Sequence, residues 1–191
     1  MEKKEALQIF EKTGALQQGH FLLSSGLHSS QYFQCALVLQ YPEYLEQFCY
    51  PIYEFYREEE PIDVVIAPAV GGIVVAQELA RQFGARAIYA EREGGKMALR
   101  RGFTIDQREK VLVCEDVITS GGSVQEVIDL VEAAEGYPIG VGVIVDRSGG
   151  QVKFDIPLFS TFQVKAITYK PERCPLCKQG KKLVKPGSRN L

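Results

Sequence analysis

Residues 111–129 read VLVCEDVITSGGSVQEVID, and the fold turns on how this run is parsed. Val111, Leu112, Val113 and Cys114 are apolar or small and form a run long enough for a buried strand. Glu115 and Asp116 follow at what is then the strand's carboxyl end. Thr119-Ser120-Gly121-Gly122-Ser123 comes next, and Val124, Val127, Ile128 and Val131 recur at helical spacing, so a helix opens there. A strand, a small-residue turn and a helix N-terminus make an anion site, because unpaired backbone N–H groups and the helix dipole point at one spot. Glycine lets the backbone close in on a phosphate, and the Thr and Ser hydroxyls add donors. Carboxylates repel phosphate, so Glu115 and Asp116 need another partner. Sugar hydroxyls, or a Mg²⁺ travelling with the phosphates, suit them.

Composition narrows the class. The chain has 191 residues, 46% hydrophobic and 24% charged, enough for one domain with a real core. A net charge of −2 gives no bias towards polyanions, so nucleic acid is not an expected partner. The longest apolar run, residues 64–76, holds Pro68, Gly71 and Gly72 and is too short to span a bilayer. Met1-Glu2-Lys3-Lys4-Glu5 does not look like a signal peptide. With five cysteines and no export signal, the reading is a reducing cytoplasm with free thiols and no membrane partner.

The 111–123 run resembles the phosphoribosyl-pyrophosphate (PRPP) motif of the type I phosphoribosyltransferases: an apolar strand, two acids, then a Thr/Ser/Gly loop. The resemblance implies that Glu115 and Asp116 hold the ribose 2′- and 3′-hydroxyls. It likewise implies that Val117, Ile118, Thr119, Ser120, Gly121, Gly122 and Ser123 line the 5′-phosphate loop. Competing phosphate motifs fail. Gly95-Lys96 is followed by Met97 rather than Ser or Thr, with Ala90 where a P-loop needs its first glycine.

A second resemblance lies upstream. Residues 2–13 read as a short amphipathic helix, with Leu7 and Phe10 inward and Gly14 as its stop. Gly19 to Gln34 then reads GHFLLSSGLHSSQYFQ, with Phe21 to Leu23 and Gln31 to Cys35 as hairpin strands around a Ser/Gly turn. This stretch is similar to the N-terminal segment of orotate phosphoribosyltransferases, which forms a hood over the base. The resemblance implies an aromatic beside the orotate ring at Phe33; plain hairpin core is the other reading of that residue. Many members carry Lys at the position of Ser24, so that PRPP contact is missing here. His20 and His28 have no partner at ligand spacing in the sequence and are read as structural.

Pro42 to Glu58 reads as a helix that Pro51 should kink or interrupt, and Arg57 to Glu60 as its solvated end. Asp63 to Pro68 is a buried strand, followed by Ala69-Val70-Gly71-Gly72 and a helix to Phe83, closed by Gly84. A strand, glycines and a helix start form a second candidate anion site, and the family carries its pyrophosphate loop in this order, which implies Val70, Gly71 and Gly72. After a strand at residues 85–89 comes AEREGGKMALRRGF, a long loop with Arg92, Lys96, Arg100 and Arg101 around a Gly-Gly hinge. It suits a lid over phosphates or a solvated basic loop. Orotate phosphoribosyltransferases carry a mobile R-K-x-x-K-x-H loop here, shared across a dimer. Arg92 and Lys96 match it, while Glu93 and Ala98 replace its Lys and His, so a loop histidine is not available as general acid.

Ile139 to Val145 is a strand ending in Asp146-Arg147, which places Arg147 on the ligand side of an open α/β sheet. The family's matching Arg pairs with orotate; a surface salt bridge with Asp146 or another acid is the other reading. Residues 162–169 read as a last strand. Cys174-Pro175-Leu176-Cys177 opens a lysine-rich tail, and zinc needs four ligands where no second cysteine pair exists, unless two subunits share four thiolates.

The expected architecture is therefore α/β: a mostly parallel sheet flanked by helices, with a small N-terminal hairpin hood. One domain spans 1–191, with helix and hood at 1–40, a PRPP-binding core at 61–150 and a tail at 170–191. The expected reaction moves 5-phosphoribose from PRPP to orotate. Lys96, Arg92 and Asp116 are the catalytic candidates; Phe33, Thr119 and Arg147 are the orotate contacts. Mg²⁺ arrives with PRPP and takes no assigned protein ligand, and a homodimer shares the lid. A purine-specific enzyme and a non-catalytic PRPP-binding regulator are the alternatives. The second would need a DNA-binding segment, and none is visible.

Overall fold

Period-two alternation in the central strands sends side chains to opposite faces of one sheet, and both faces are apolar, so helices must cover both. The computed structural model describes residues 1–23, 25–58, 61–165 and 167–186. In order it contains α1 (Lys3–Lys12), β1 (Leu16–Leu22), β2 (His28–Phe33), α2 (Ala36–Leu39), α3 (Pro42–Tyr56), β3 (Val64–Pro68), α4 (Gly72–Phe83), β4 (Arg86–Glu93) and β5 (Lys96–Leu99). There follow β6 (Lys110–Ile118), α5 (Gly122–Ala133), β7 (Tyr137–Asp146), β8 (Leu158–Gln163), β9 (Thr168–Tyr169), a 3-10 turn (Pro171–Arg173) and α6 (Pro175–Lys178). Among the described residues, no helix is long and apolar enough to cross a membrane.

The main sheet has six strands in the order β5-β4-β3-β6-β7-β8. All neighbours are parallel except β5, which folds back antiparallel on β4. On one face Val65, Ala67, Leu112 and Cys114 join Ile9 and Phe10 of α1, Phe48 and Ile52 of α3 and Val75 and Leu79 of α4. On the other, Val64, Ile66, Val111 and Val113 meet Val124, Val127 and Val131 of α5. Each such aliphatic side chain, fully buried, contributes about 1.5–3 kcal/mol of transfer free energy. α3 runs from Pro42 to Tyr56 without a break at Pro51.

A separate three-stranded sheet, β1-β2-β9, forms the hood. Here the structure corrects two expectations. Residues 162–169 are not one strand: β8 belongs to the main sheet and β9 pairs with β2, His28 opposite Tyr169 and Ser29 opposite Thr168. Nor is the C-terminal segment a loose tail. The Leu22 N–H donates to the Val184 carbonyl at 2.8 Å, and the Val184 N–H donates to the His20 carbonyl at 2.9 Å. The tail thus completes the hood that the N-terminus begins. All five cysteines are free thiols.

Candidate functional site

Parallel pairing of β3, β6 and β7 brings their carboxyl ends to one edge, where the loops 69–72 and 119–121 and residue 147 gather. The acids lie between the two loops. A Cβ at Gly71 would sit 2.6 Å from an Asp116 carboxylate oxygen, and one at Gly72 would sit 3.0 Å from a Glu115 carboxylate oxygen. Only glycine lets this backbone lie against the acids. The peptide joining Ala69 to Val70 is cis, and Val70 is 77% exposed at the loop's tip.

Asp116 accepts from the Val117 N–H at 2.9 Å, and the Asp116 N–H donates to Glu115 at 3.1 Å. Withdrawal from water raises the Asp116 carboxyl above its usual range, while hydrogen bonds from Glu115 and Val117 pull the other way. Gly121 has φ +77°, and its Cα faces Val152 and Phe154, so a side chain there would meet both strain and a wall. Thr119 and Ser120 are exposed ahead of α5, whose first N–H groups open to the same edge.

Arg147 is 6% exposed, and its Nε has no hydrogen-bond partner among the described residues. Its guanidinium carbon lies 5.7 Å from the centre of the Tyr32 ring. Desolvation lowers its pKa, the signature of a cation held out of water. The alternative of a salt bridge to Asp146 does not hold. Burial pushes the Asp146 carboxyl up, but bonds from the N–H groups of Ser148 (2.7 Å) and Gly150 (2.9 Å) and from Gln163 Nε2 (3.1 Å) outweigh it. Asp146 shapes the turn, and Arg147 is left for something else.

Phe33 requires a correction. It is 5% exposed and packs edge-on to Phe10 at 5.3 Å and against Phe162 at 5.9 Å, inside the core rather than beside a ligand. Strand alternation explains this: in β2 Phe33 points to the core, so the half-buried Tyr32 points to Arg147. The sequence motif supplied two adjacent aromatics but not the register that separates them.

The basic stretch is not a long loop either. β4 and β5 form a hairpin turning at Gly94-Gly95, with Glu93 opposite Lys96. Its apolar side, Met97 and Leu99, packs on the core beneath. Arg92 donates to both carboxylate oxygens of Glu126 on α5, each at 2.8 Å. Arg100 and Arg101 pair with Glu93 and Glu91. Lys96 is exposed at the turn and forms no ion pair with the described residues. No local pattern points to Glu126, which lies 34 residues from Arg92. Ser24 lies outside the described residues, and Ala98 sits in β5 opposite Glu91.

His20 and His28 are not unpartnered. They meet Cys174 and Cys177 in the hood, with ligand atoms all within 4.8 Å of one another.

Residues 50–173 match the family model described as "Phosphoribosyl transferase domain". The orotate phosphoribosyltransferase of Thermoanaerobacter sp. (strain X514) is 57% identical over 191 residues, covering all of both chains. That of Caldanaerobacter subterraneus subsp. tengcongensis is 56% identical over the same span, again covering all of both chains. Among solved structures, orotate phosphoribosyltransferase from Aeropyrum pernix superposes with a TM-score of 0.71 at 24% identity, covering 83% of this chain and 93% of that one. At that identity the likeness establishes the fold, a mostly parallel α/β sheet.

Proposed function

This chain belongs to the orotate phosphoribosyltransferase family, and from that premise we propose that it transfers 5-phosphoribose from PRPP to orotate, giving orotidine 5′-monophosphate and pyrophosphate. The observation that carries the acceptor is Arg147. A buried guanidinium with an unpartnered Nε beneath a tyrosine ring needs an anion to complete it, and a planar carboxylate fits its fork. A purine offers no carboxylate, so this corner disfavours the purine alternative.

The donor occupies the other end of the edge. Backbone N–H groups of residues 119–123 and the α5 terminus cradle the 5′-phosphate, with Thr119 between that loop and the base. Residues 70–72 receive the diphosphate; having no side chain, Gly71 and Gly72 let the loop's backbone lie against the acids. Glu115 and Asp116 hold the ribose hydroxyls and favour positive charge as it grows on C1. The same acids form an all-oxygen corner of the kind a hard cation accepts. Mg²⁺ bound with PRPP supplies neutralising charge for the leaving diphosphate.

Orotate with its ring nitrogen deprotonated is already a nucleophile, so orientation by Tyr32, Thr119 and Arg147 suffices and no loop histidine is needed. Lys96, and Arg92 once released from Glu126, stabilise the departing diphosphate. Closure of the β4–β5 hairpin, donated across a homodimer, keeps water from the ribosyl cation. The working compartment is the cytoplasm, and residues 61–150 form the PRPP-binding core within one domain.

The test is direct. Purified protein with PRPP and Mg²⁺ is offered orotate, uracil, adenine, hypoxanthine and xanthine in parallel. Orotate alone should disappear, with release of pyrophosphate. Turnover of a purine would discard the role of Arg147, and PRPP binding without turnover would make the chain a regulator.

A further inference from the structure

The hood contains a second constellation that the transfer reaction does not use. His20 on β1, His28 on β2 and the Cys174-x-x-Cys177 pair of the tail converge although about 150 residues separate the two halves. His20 Nε2 lies 2.9 Å from His28 Nδ1, 3.5 Å from Cys174 Sγ and 3.7 Å from Cys177 Sγ. Cys177 Sγ lies 3.3 Å from His28 Nδ1.

The three nitrogen–sulfur separations match the edges of a coordination shell, and the two imidazole nitrogens lie somewhat closer than a bound ion would hold them. With Zn–N near 2.05 Å and Zn–S near 2.3 Å, the edges of a tetrahedron measure about 3.4 Å for N···N, 3.6 Å for N···S and 3.8 Å for S···S. A single hydrogen bond, from His28 Nδ1–H to His20 Nε2, accounts for only one of these contacts and leaves both sulfurs unexplained. The Lys181 carbonyl lies 2.8 Å from His20 Nδ1 and can only accept, so Nδ1–H donates to it and in the neutral ring Nε2 carries a lone pair. That lone pair faces another imidazole nitrogen and two sulfurs at once, and thiols are weak donors. The same carbonyl is the kind of outer partner that orients a metal-bound histidine. His20, His28 and Cys174 are all buried, which shields a centre, and Cys177 gives it an outer side.

We propose that His20, His28, Cys174 and Cys177 bind one Zn²⁺ in a closed, tetrahedral, structural site that fastens the C-terminal tail to the hood. Two thiols and two neutral imidazoles take up Zn²⁺ and release two protons, leaving a centre with no net charge, which suits a buried position. Mixed sulfur and imidazole ligands in a tetrahedron select zinc over Mg²⁺ or Ca²⁺, which take oxygen. Four protein ligands leave no open position for substrate, so the role is to hold structure. β2 links this site to the acceptor corner: His28 is at one end and Tyr32 lies four residues on, about 13 Å along the strand.

The experiment uses the full chain, purified without chelator, with metal content measured by mass spectrometry. One zinc per chain is expected, and less than half that in Cys177→Ser, whose exposed position makes folding safe. Protein stripped of metal and loaded with Co²⁺ alone should show the intense visible bands of a tetrahedral ion and a near-ultraviolet thiolate-to-cobalt band. Its melting temperature should rise with added Zn²⁺, and that of Cys177→Ser should not. A stripped wild-type chain that takes up neither metal, a weak octahedral cobalt spectrum, or a Cys174–Cys177 disulfide in the purified protein would each overturn the proposal. None of these readouts depends on phosphoribosyl transfer.

Discussion

Arg147 and Arg92, the two arginines that the proposed reaction uses, are held in opposite ways. Arg147 is sunk beneath Tyr32 with an unpartnered Nε. Arg92 is clasped by both oxygens of Glu126 at the surface, on a hairpin that turns at two glycines. Keeping a cation buried without a counter-ion costs free energy, which fits the proposed reading of Arg147 as a receptor prepared in advance for an anionic acceptor. An exposed arginine in an ion pair is merely parked, because such pairs contribute about 0–1 kcal/mol and exchange readily. In the proposed reaction the acceptor end is thus preformed, whereas the leaving-group end is assembled by motion.

That contrast can be broken at several points. The largest effect expected is at Phe33, which anchors the hood to the core behind the acceptor corner. Phe33→Ala should lose about 3–5 kcal/mol in urea unfolding, while Tyr32→Ala should leave stability nearly intact and raise the orotate KM. Wild-type stability in Phe33→Ala with lost orotate affinity would return that ring to the ligand. Next is Lys96→Ala, expected to lower kcat roughly 10²–10³-fold with little change in orotate KM. Unchanged turnover would take the hairpin out of the chemistry. Arg147→Ala should raise orotate KM roughly 10- to 100-fold, and Arg147→Lys should recover only part of it, since an ammonium lacks the planar fork. An orotate KM within twofold of wild type would leave that buried cation without a purpose. Smallest is Glu126→Gln, which frees Arg92 and should lower the PRPP KM by no more than about fivefold. A tenfold drop in kcat would instead give Glu126 a part in the reaction.

The strand, turn and helix of the 111–123 run are legible in the sequence and the packing of the hood is less so, for a physical reason. The 111–123 run codes its strand, turn and helix within a few neighbouring residues, so local chemistry and local structure coincide. Position 147 was also placed correctly, by its strand end. Phe33 and Tyr32 depend on which face of β2 meets the core, and that register is decided by Phe10 and Phe162 from distant segments. Hairpin reasoning could have hinted at the hood cluster, since pairing Leu22 with His28 brings His20 and His28 to neighbouring rungs. Joining them to Cys174 and Cys177 required knowing that β9 returns to β2. The 162–169 run was read as one strand because alternation continues through it, whereas the Val164 N–H donates to Asp146 and closes off the main sheet there.

The pairing of β9 with β2 also sets a timetable. A ribosome delivers residues in order, at about 5–20 per second, and the Ser29 hydroxyl must wait for the Ile167 carbonyl 138 positions later. The sheet from β3 to β7 has all its strands by Asp146 and is free to form while the rest is still being made. The strand that carries Tyr32 lacks its neighbour until the final stretch emerges. A growing chain of this protein can therefore complete the strands that carry residues 115–123 and Arg147 before the sheet that carries Tyr32.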